Sequence, residues 1–423
     1  MKKYLWILFF ISIFTHFLFF GYPNQTVFDE VHFGKFVSGY YTHEYYFDIH
    51  PPLGKLMIAG FAKIFNFKPE FSFAKIGDPF PDNKYMALRF LPSLAGSLLP
   101  IVIFLLALQL KFTPKAAFAA GVLVAVDNAL LVQTRYILMD AFLLLFGFST
   151  LLAYFKKKYL WMAILGGLAI SIKWTGLTFL ALPFFVEVFQ MWKQGEFKKI
   201  FKLPLYFLLI PLAIYFSIFT LHFSLLNKPG PGDAFMNQTF HSENVFKKFV
   251  ELNVEMYRSN QRLTATHPYG SQWYTWPFML RPIFYWVSGN SRIYFLGNPI
   301  IWWSSTIAIT ISIMYLILSI KEKRSEKILL ILLGGYALNL LPFIGIKRVM
   351  FLYHYLSGLV FAVLILVYLI DKQDGSTWLT TKKIFMGLVI ASVAAFIYFA
   401  PLSYGLPLSQ KAQDARVWLP SWR

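Results

Sequence analysis

Long apolar runs recur from one end of this chain to the other, separated by short clusters rich in lysine, and this alternation constrains the fold more than any other feature. A helix crosses the roughly 30 Å hydrocarbon layer with about 20 predominantly apolar residues, and somewhat fewer suffice inside a bundle. By that measure about eleven segments qualify: residues 4–20, 87–110, 116–132, 136–155, 159–172, 175–192, 203–221, 299–320, 328–346, 351–370 and 384–400. Lipid offers no partner to backbone N–H and C=O groups, so such runs form helices. The expected fold class is therefore an all-α integral membrane protein. Hydrophobic residues make up 57% of the 423 and charged residues only 14%, which lies outside soluble globular averages. A formal net charge of +19 raises the question of nucleic acid, but the basic residues sit between apolar runs and not on one soluble face, so no nucleic-acid partner is expected.

Basic clusters at 111–115, 156–158, 193–202, 321–327 and 372–383 match the Lys2 and Lys3 start. The positive-inside rule places them, and the N-terminus, in the cytoplasm of a multi-pass cell-membrane protein. An odd number of spans then leaves the tail at about 401–423 outside, together with the outer loops at about 21–86 and 222–298. The chemistry is expected on that outer face. Lys2 and Lys3 also precede an apolar run as in a signal peptide, but no small-residue cleavage site follows, so the first helix is expected to be retained. No internal repeat or flexible linker divides the chain, and residues 1–423 read as a single polytopic membrane domain. Cysteine is absent, which removes disulfides and thiolate metal sites. Within the loops, Leu53, Leu56, Met57, Gly60, Phe61 and Ile64 recur at helical spacing, as do Val245, Phe249, Leu252 and Met256. Both series predict interfacial helices, the second with Lys247 to Glu251 and Glu255 to Arg258 at ion-pairing offsets.

Two adjacent acids beside a bilayer need a reason, since ionisable groups at membrane depth are costly to desolvate. Asp29 and Glu30 follow the first run within about ten residues. The bland alternative is that Asp29 caps a short helix and Glu30 pairs with a lysine. His50 precedes Pro51 and Pro52, which disfavour the helical region before them and pre-set a helix start near Leu53, so His50 is expected in a rigid turn. It can bind a phosphate or satisfy a loop carbonyl. Arg89, Arg135, Asp140, Lys173, Lys347 and Arg348 also stand where runs meet the outer face. Together they suit an anion pocket for a phosphorylated lipid, against a bland alternative of interfacial snorkelling. Asp127, inside an apolar run, requires a partner, for which Asn128 or Gln133 would serve. Trp273, Tyr274 and Trp276, like Tyr353 and Tyr355 around His354, suit either an interfacial aromatic belt or the stacking of sugar rings.

The segments FDEVHFGKF, DIHPPLGK, DNALLVQTRYILMD, GSQWYTWPFMLRP and IKRVMFLYHYL, in this order, resemble the motifs of the protein O-mannosyltransferases over nearly the whole chain. The resemblance implies the GT-C architecture, a polyprenyl-phosphate mannose donor drawn from the membrane lipid, and a Ser/Thr-containing exported polypeptide as acceptor. It makes Asp29 the general base of an inverting transfer, with Glu30 orienting acceptor or sugar. Arg89, Arg135, His50, Arg348, His354 and Asp140 would form the donor-phosphate pocket, and Trp273, Tyr274 and Trp276 would face acceptor or sugar. No cofactor is required and no metal is expected, since cationic side chains can neutralise the phosphate, although a divalent cation held by carboxylates stays compatible. Eukaryotic members carry a β-trefoil MIR insert in the large outer loop, for which 222–298 is too short, so a prokaryotic type is expected. Acceptor recognition would then rest on the outer loops or on a partner, with a dimer or association with the secretion machinery left open. Two alternatives stand beside it: a related GT-C transferase acting on a lipid or glycan, and, less favoured, a transporter, which would place its charges at the midplane.

Overall fold

The computed structural model describes residues 1–195, 197–262, 266–322, 326–372 and 378–423, and all eleven apolar runs are helical in it. Among the described residues, seven helices are long and apolar enough to cross a membrane: Tyr85–Gln109, Trp174–Gln194, Ile200–Leu225, Pro299–Lys321, Lys327–Gly345, Leu352–Asp371 and Lys383–Tyr404. A bent pair, Pro114–Ala125 and Asn128–Thr134, raises the count to eight. By length and composition seven or eight of the eleven expected spans qualify, and the other three are shorter helices. Lys2–Phe17 and Asp140–Phe155 have only 16 residues each, and Tyr159–Ile170 has 12. In the Asp140 case the reason is visible, because residues 136–139 leave the helix in a turn that presents the Ile137 N–H to Glu30.

The third run breaks with a bend of 60° at Asp127. Its Oδ1 accepts the Leu130 N–H at 2.9 Å, capping the second half, while Oδ2 accepts from the Trp302 indole at 2.8 Å and the Asn298 N–H at 3.1 Å. Trp302 and Asn298 therefore meet the requirement that a buried carboxylate be paired. Neither expected partner does so: Asn128 donates to Ser403 Oγ at 2.8 Å, and Gln133 turns elsewhere.

The all-α expectation is corrected to mostly helical by an antiparallel hairpin, Ile283–Ser288 with Ser291–Phe295. Its strands are rich in β-branched and aromatic residues and are joined by Gly289-Asn290, with Gly289 at φ +54°. That is the composition a two-residue hairpin turn favours. The register shifts between Phe284 and Trp286, which makes Tyr285 the extra residue of a β-bulge.

Both expected loop helices are present, at Leu53–Ile64 and Val245–Arg262, and a further one, Glu30–Thr42, was not foreseen. On the second, the ion-pair offsets differ from expectation. Lys247 meets Glu243 at 3.0 Å and Glu255 meets Arg262 at 3.9 Å, because Glu251 instead accepts the Asn237 N–H at 2.7 Å. Tyr85–Gln109 runs from Arg89, beside the first long loop, to the Lys111 turn, where the Asp371 carboxylate accepts from Thr113 N and Oγ1 at 2.8 and 2.6 Å. The basic clusters at 193–202, 321–327 and 372–383 lie in part outside the described residues. Most of the described buried apolar residues from Leu8 to Trp422 belong to one contiguous cluster, and Ala153, Tyr154, Met162 and Leu180 form a second, smaller one.

Candidate active site

The Glu30–Thr42 helix begins between two acids with opposite surroundings. Glu30 is 0% exposed: Oε1 accepts from Arg89 Nε at 2.8 Å and Ile137 N at 3.0 Å, and Oε2 from Arg89 Nη2 at 2.7 Å and Val27 N at 2.8 Å. Arg89 gives its remaining N–H groups to the carbonyls of Gly21, Pro23 and Gln25 at 2.8, 2.6 and 2.7 Å. A guanidinium has five N–H donors and a carboxylate about four acceptor positions, so both groups are saturated. This corrects two expectations. Arg89 has no donor left for a phosphate and Glu30 no lone pair left for a sugar; together they pin the 21–27 segment against the bundle.

Asp29, one residue earlier, occupies the helix N-cap position without making a side-chain cap bond. It is half-buried, and among the described residues its carboxylate has no hydrogen bond or ion pair. Burial pushes it up to about 7, Lys173 pulls in the other direction, and Asp140 and Asp48 add to the rise. Such a carboxylate is poised to take a proton near neutral pH.

Around Asp29 stand cations of two kinds. Lys173 holds both oxygens of Asp140, at 2.8 and 2.9 Å, and Asp140 Oδ2 also accepts from Gln133 Nε2 at 2.7 Å, while the Tyr285 hydroxyl donates to Gln133 Oε1. Lys55 is paired with Asp48 and donates to the His50 carbonyl at 2.9 Å. The second kind is unpaired. Arg348, half-buried, makes no hydrogen bond or ion pair among the described residues, and neither does the His50 ring. Burial pushes the His50 imidazole well below its usual value, and the charges of Lys173, Arg348, Lys55 and His354 push it further, so it is neutral. The turn expected for His50 is present, with Asp48 Oδ1 accepting the His50 N–H at 3.2 Å and Leu53 N–H bonded to the Ser171 carbonyl at 3.1 Å. His354 stacks on Tyr353 with centroids 4.5 Å apart, and its Nδ1 is bonded to the Phe351 backbone. The charge of the paired Lys173 thus acts on both Asp29 and His50, and the unpaired Arg348 acts on the neutral His50.

The family model described as dolichyl-phosphate-mannose-protein mannosyltransferase matches residues 6–227, and the one described as the C-terminal four TMM region of protein-O-mannosyltransferase matches 245–422. The chain belongs to the protein O-mannosyltransferase family. Protein O-mannosyltransferase 1 of Drosophila melanogaster is 34% identical over 56% of this chain, and mannosyltransferase 4 of Candida albicans 36% over 54%. The matched stretches span only 29% and 34% of those proteins. Mannosyltransferase 1 of Saccharomyces cerevisiae matches more broadly, at 22% identity over 95% of this chain and 81% of its own length. Among solved structures, the S. cerevisiae protein O-mannosyltransferase complex bound to the sugar donor superimposes with a TM-score of 0.95 at 20% identity, covering 100% of this chain and 92% of that one. The Archaeoglobus fulgidus oligosaccharyltransferase does so with 0.58 at 12%, covering 99% and 57%. The fold is accordingly the GT-C architecture of membrane glycosyltransferases.

Within this protein O-mannosyltransferase fold, the other expected site residues divide. Arg135 is 3% exposed, donates through Nη2 to the Leu18 and Phe19 carbonyls at 2.6 and 2.9 Å, and packs 4.6 Å over the Tyr404 ring. It secures the end of the first helix through Nη2, while its Nη1 is buried without a partner. Asp140 holds Lys173, and a carboxylate so placed would repel a phosphate. Trp276 is 0% exposed behind His354, donating to Ser271 Oγ at 2.9 Å, so it belongs to the core and not to a sugar face. Trp273 is half-buried and Tyr274 is 58% exposed on the same turn. Asp48, Gln133 and Tyr285 also belong to the site, beyond the residues expected there. Lys173, expected among the anion-pocket charges, is instead held by Asp140. Among the described residues no three His, Asp or Glu side chains gather as a metal site.

Proposed function

We propose that this chain transfers mannose from a polyprenyl-phosphate mannose, dolichyl phosphate in the family's description, to Ser or Thr hydroxyls of exported polypeptides. The observation that carries this is the contrast within the acidic pair: Glu30 is saturated, while Asp29 is unpaired beside cations. As the acceptor oxygen bonds to C1 of mannose, its proton passes to the Asp29 carboxylate and the C1 to phosphate oxygen bond breaks, with inversion. Polyprenyl phosphate leaves with the electron pair. A positioned base contributes about 10² to 10⁴-fold, and stabilising the departing phosphate contributes further. Arg348, His354 and His50 suit that second task because each keeps an unoccupied nitrogen, whereas Lys173 supplies a fixed charge. Cations of the chain itself neutralise the phosphate in this assignment. Trp273 and Tyr274 remain candidates for contact with the acceptor.

The N-terminus is assigned to the cytoplasm and the site to the outer face, because the lysine turns at 111–115 and 156–158 cap the helix ends opposite Asp29. The alignment to the S. cerevisiae enzyme is 659 positions long for a chain of 423 residues, in keeping with a large outer loop that lacks an insert such as the MIR domain. Incubating the purified protein with labelled polyprenyl-phosphate mannose and Ser/Thr peptides tests the assignment. Label is expected in peptide; label entering only lipid or glycan would replace the acceptor class, and no transfer to any acceptor would overturn the assignment.

A further inference from the structure

A cavity of about 540 Å³ that does not include Asp29 opens between the hairpin and the C-terminal segment, lined by Phe284, Arg292, Tyr294, Gln413, Asp414 and Trp422 among others. Its floor is the Phe284 and Tyr294 pair, stacked with centroids 4.0 Å apart and 12° between planes. Arg292 lies 5.8 Å over the Phe284 ring and, among the described residues, makes no hydrogen bond or ion pair. Of the other arginines at this end, Arg281 donates to the Pro268 and Ser421 carbonyls and Arg416 to those of Tyr398 and Ala412, while Arg423 also lines the cavity and, among the described residues, makes no side-chain hydrogen bond. Gln413 is 6% exposed; its amide N–H groups bond the Asn290 and Leu408 carbonyls, yet its Oε1 is buried without a partner. The Asp414 carboxylate accepts only from Gln410 Nε2, at 3.0 Å.

This wall offers unused guanidinium donors on Arg292 and Arg423, the Asp414 carboxylate as an acceptor and an aromatic face together. A phosphate or carboxylate would satisfy Arg292 and Arg423, but it has no proton to give the Asp414 carboxylate and would meet its like charge. A sugar hydroxyl both donates and accepts, and the C–H face of a hexose packs on an aromatic ring. The same ribbon also faces the reaction site. Neighbours on a strand point to opposite faces, so Phe284 lines this cavity while Tyr285 stacks on Phe28, next to Asp29.

We infer that this cavity is a carbohydrate subsite that holds a mannose already attached to the acceptor polypeptide while a nearby hydroxyl reaches Asp29. The inference rests on the transferase assignment for its biological sense, but not for its test. Binding is measured without turnover, using the full-length Asp29→Asn protein in detergent and two Ser/Thr peptides that differ only by one O-linked mannose. The mannosylated peptide is expected to bind about tenfold tighter, the worth of one or two hydrogen bonds. Arg292→Gln and Phe284→Leu should each remove most of that difference, and on the wild-type background leave transfer to unmodified peptide within about twofold. Equal binding of the two peptides by the unsubstituted site overturns the inference, as does retention of the difference in both variants, or displacement by inorganic phosphate but not by methyl α-mannoside. Preferential binding with no transfer to any peptide would sink the transferase assignment alone, leaving a carbohydrate site.

Discussion

The backbone N–H of Phe28 donates to the Tyr285 carbonyl at 3.0 Å, and the two rings stack with centroids 3.9 Å apart and 6° between planes. The β-bulge makes this contact available, because an extra residue outside the strand pairing keeps its carbonyl for another partner. Phe28 sits at φ +46°, a conformation a bulky side chain adopts only when its surroundings hold it there. The hairpin thereby sets the direction in which Asp29 leaves the chain.

Tyr285→Phe keeps that stack but removes the hydroxyl that donates to Gln133, leaving a buried amide oxygen unpaired. The expected cost is about 1 to 3 kcal/mol, placed on the Gln133, Asp140 and Lys173 chain beside the base. Turnover should fall roughly tenfold with little change in donor KM. Steady-state kinetics that showed a donor KM effect alone would contradict a positioning role.

For Glu30 and Arg89 the structure predicts loss of fold before loss of chemistry. Removing one partner of a buried, hydrogen-bonded ion pair costs about 3 to 5 kcal/mol, since the other charge is left uncompensated. Glu30→Ala and Arg89→Ala should therefore lower the unfolding temperature in detergent and yield little monodisperse protein. A well-folded Arg89→Ala protein with weakened donor use would restore the phosphate role that its saturated guanidinium argues against.

Asp29→Asn is expected to abolish transfer while the protein stays folded. In the wild type, the base form exists above a pKa of about 7, so turnover should rise with pH through that value and fall below it. Stability should move the other way. Because burial raises the folded-state value above 3.8, this group's contribution is fully present below about pH 4 and is lost as pH climbs through about 7. At neutral pH the Asn variant should accordingly melt no lower than wild type, and a pH-independent rate would remove Asp29 from the role of base.

Arg348 is the cation with the most unoccupied donors in the pocket. Arg348→Gln should raise donor KM by about tenfold or more, as expected for charge-assisted hydrogen bonds to phosphate, with acceptor KM unaffected. An unchanged donor KM would move the phosphate elsewhere.

Much of this molecule was legible one residue at a time. Apolar runs of helical length have few alternatives in lipid, and the pattern 53, 56, 57, 60 marks a helix whatever it packs on. The motif around Asp29 and Glu30 drew attention because charge at a bilayer boundary is expensive. The hairpin also has a local signature, aromatic and β-branched residues on either side of Gly289-Asn290, inside the segment expected as a long outer loop.

What the chain alone could not apportion was which charged group is used up by another. Glu30 and Asp29 are neighbours with the same chemistry, and only contacts made by Arg89, Val27 and Ile137 saturate one and leave its neighbour unpaired. Arg89 and Arg348 likewise look interchangeable as sequence, yet three backbone carbonyls and a carboxylate occupy the first and none the second. Local sequence determined the helices and the identity of the ionisable groups, because hydrophobic length and residue type act locally. Tertiary structure decided which of those groups remain available for chemistry, because hydrogen-bond saturation is fixed by partners far away along the chain.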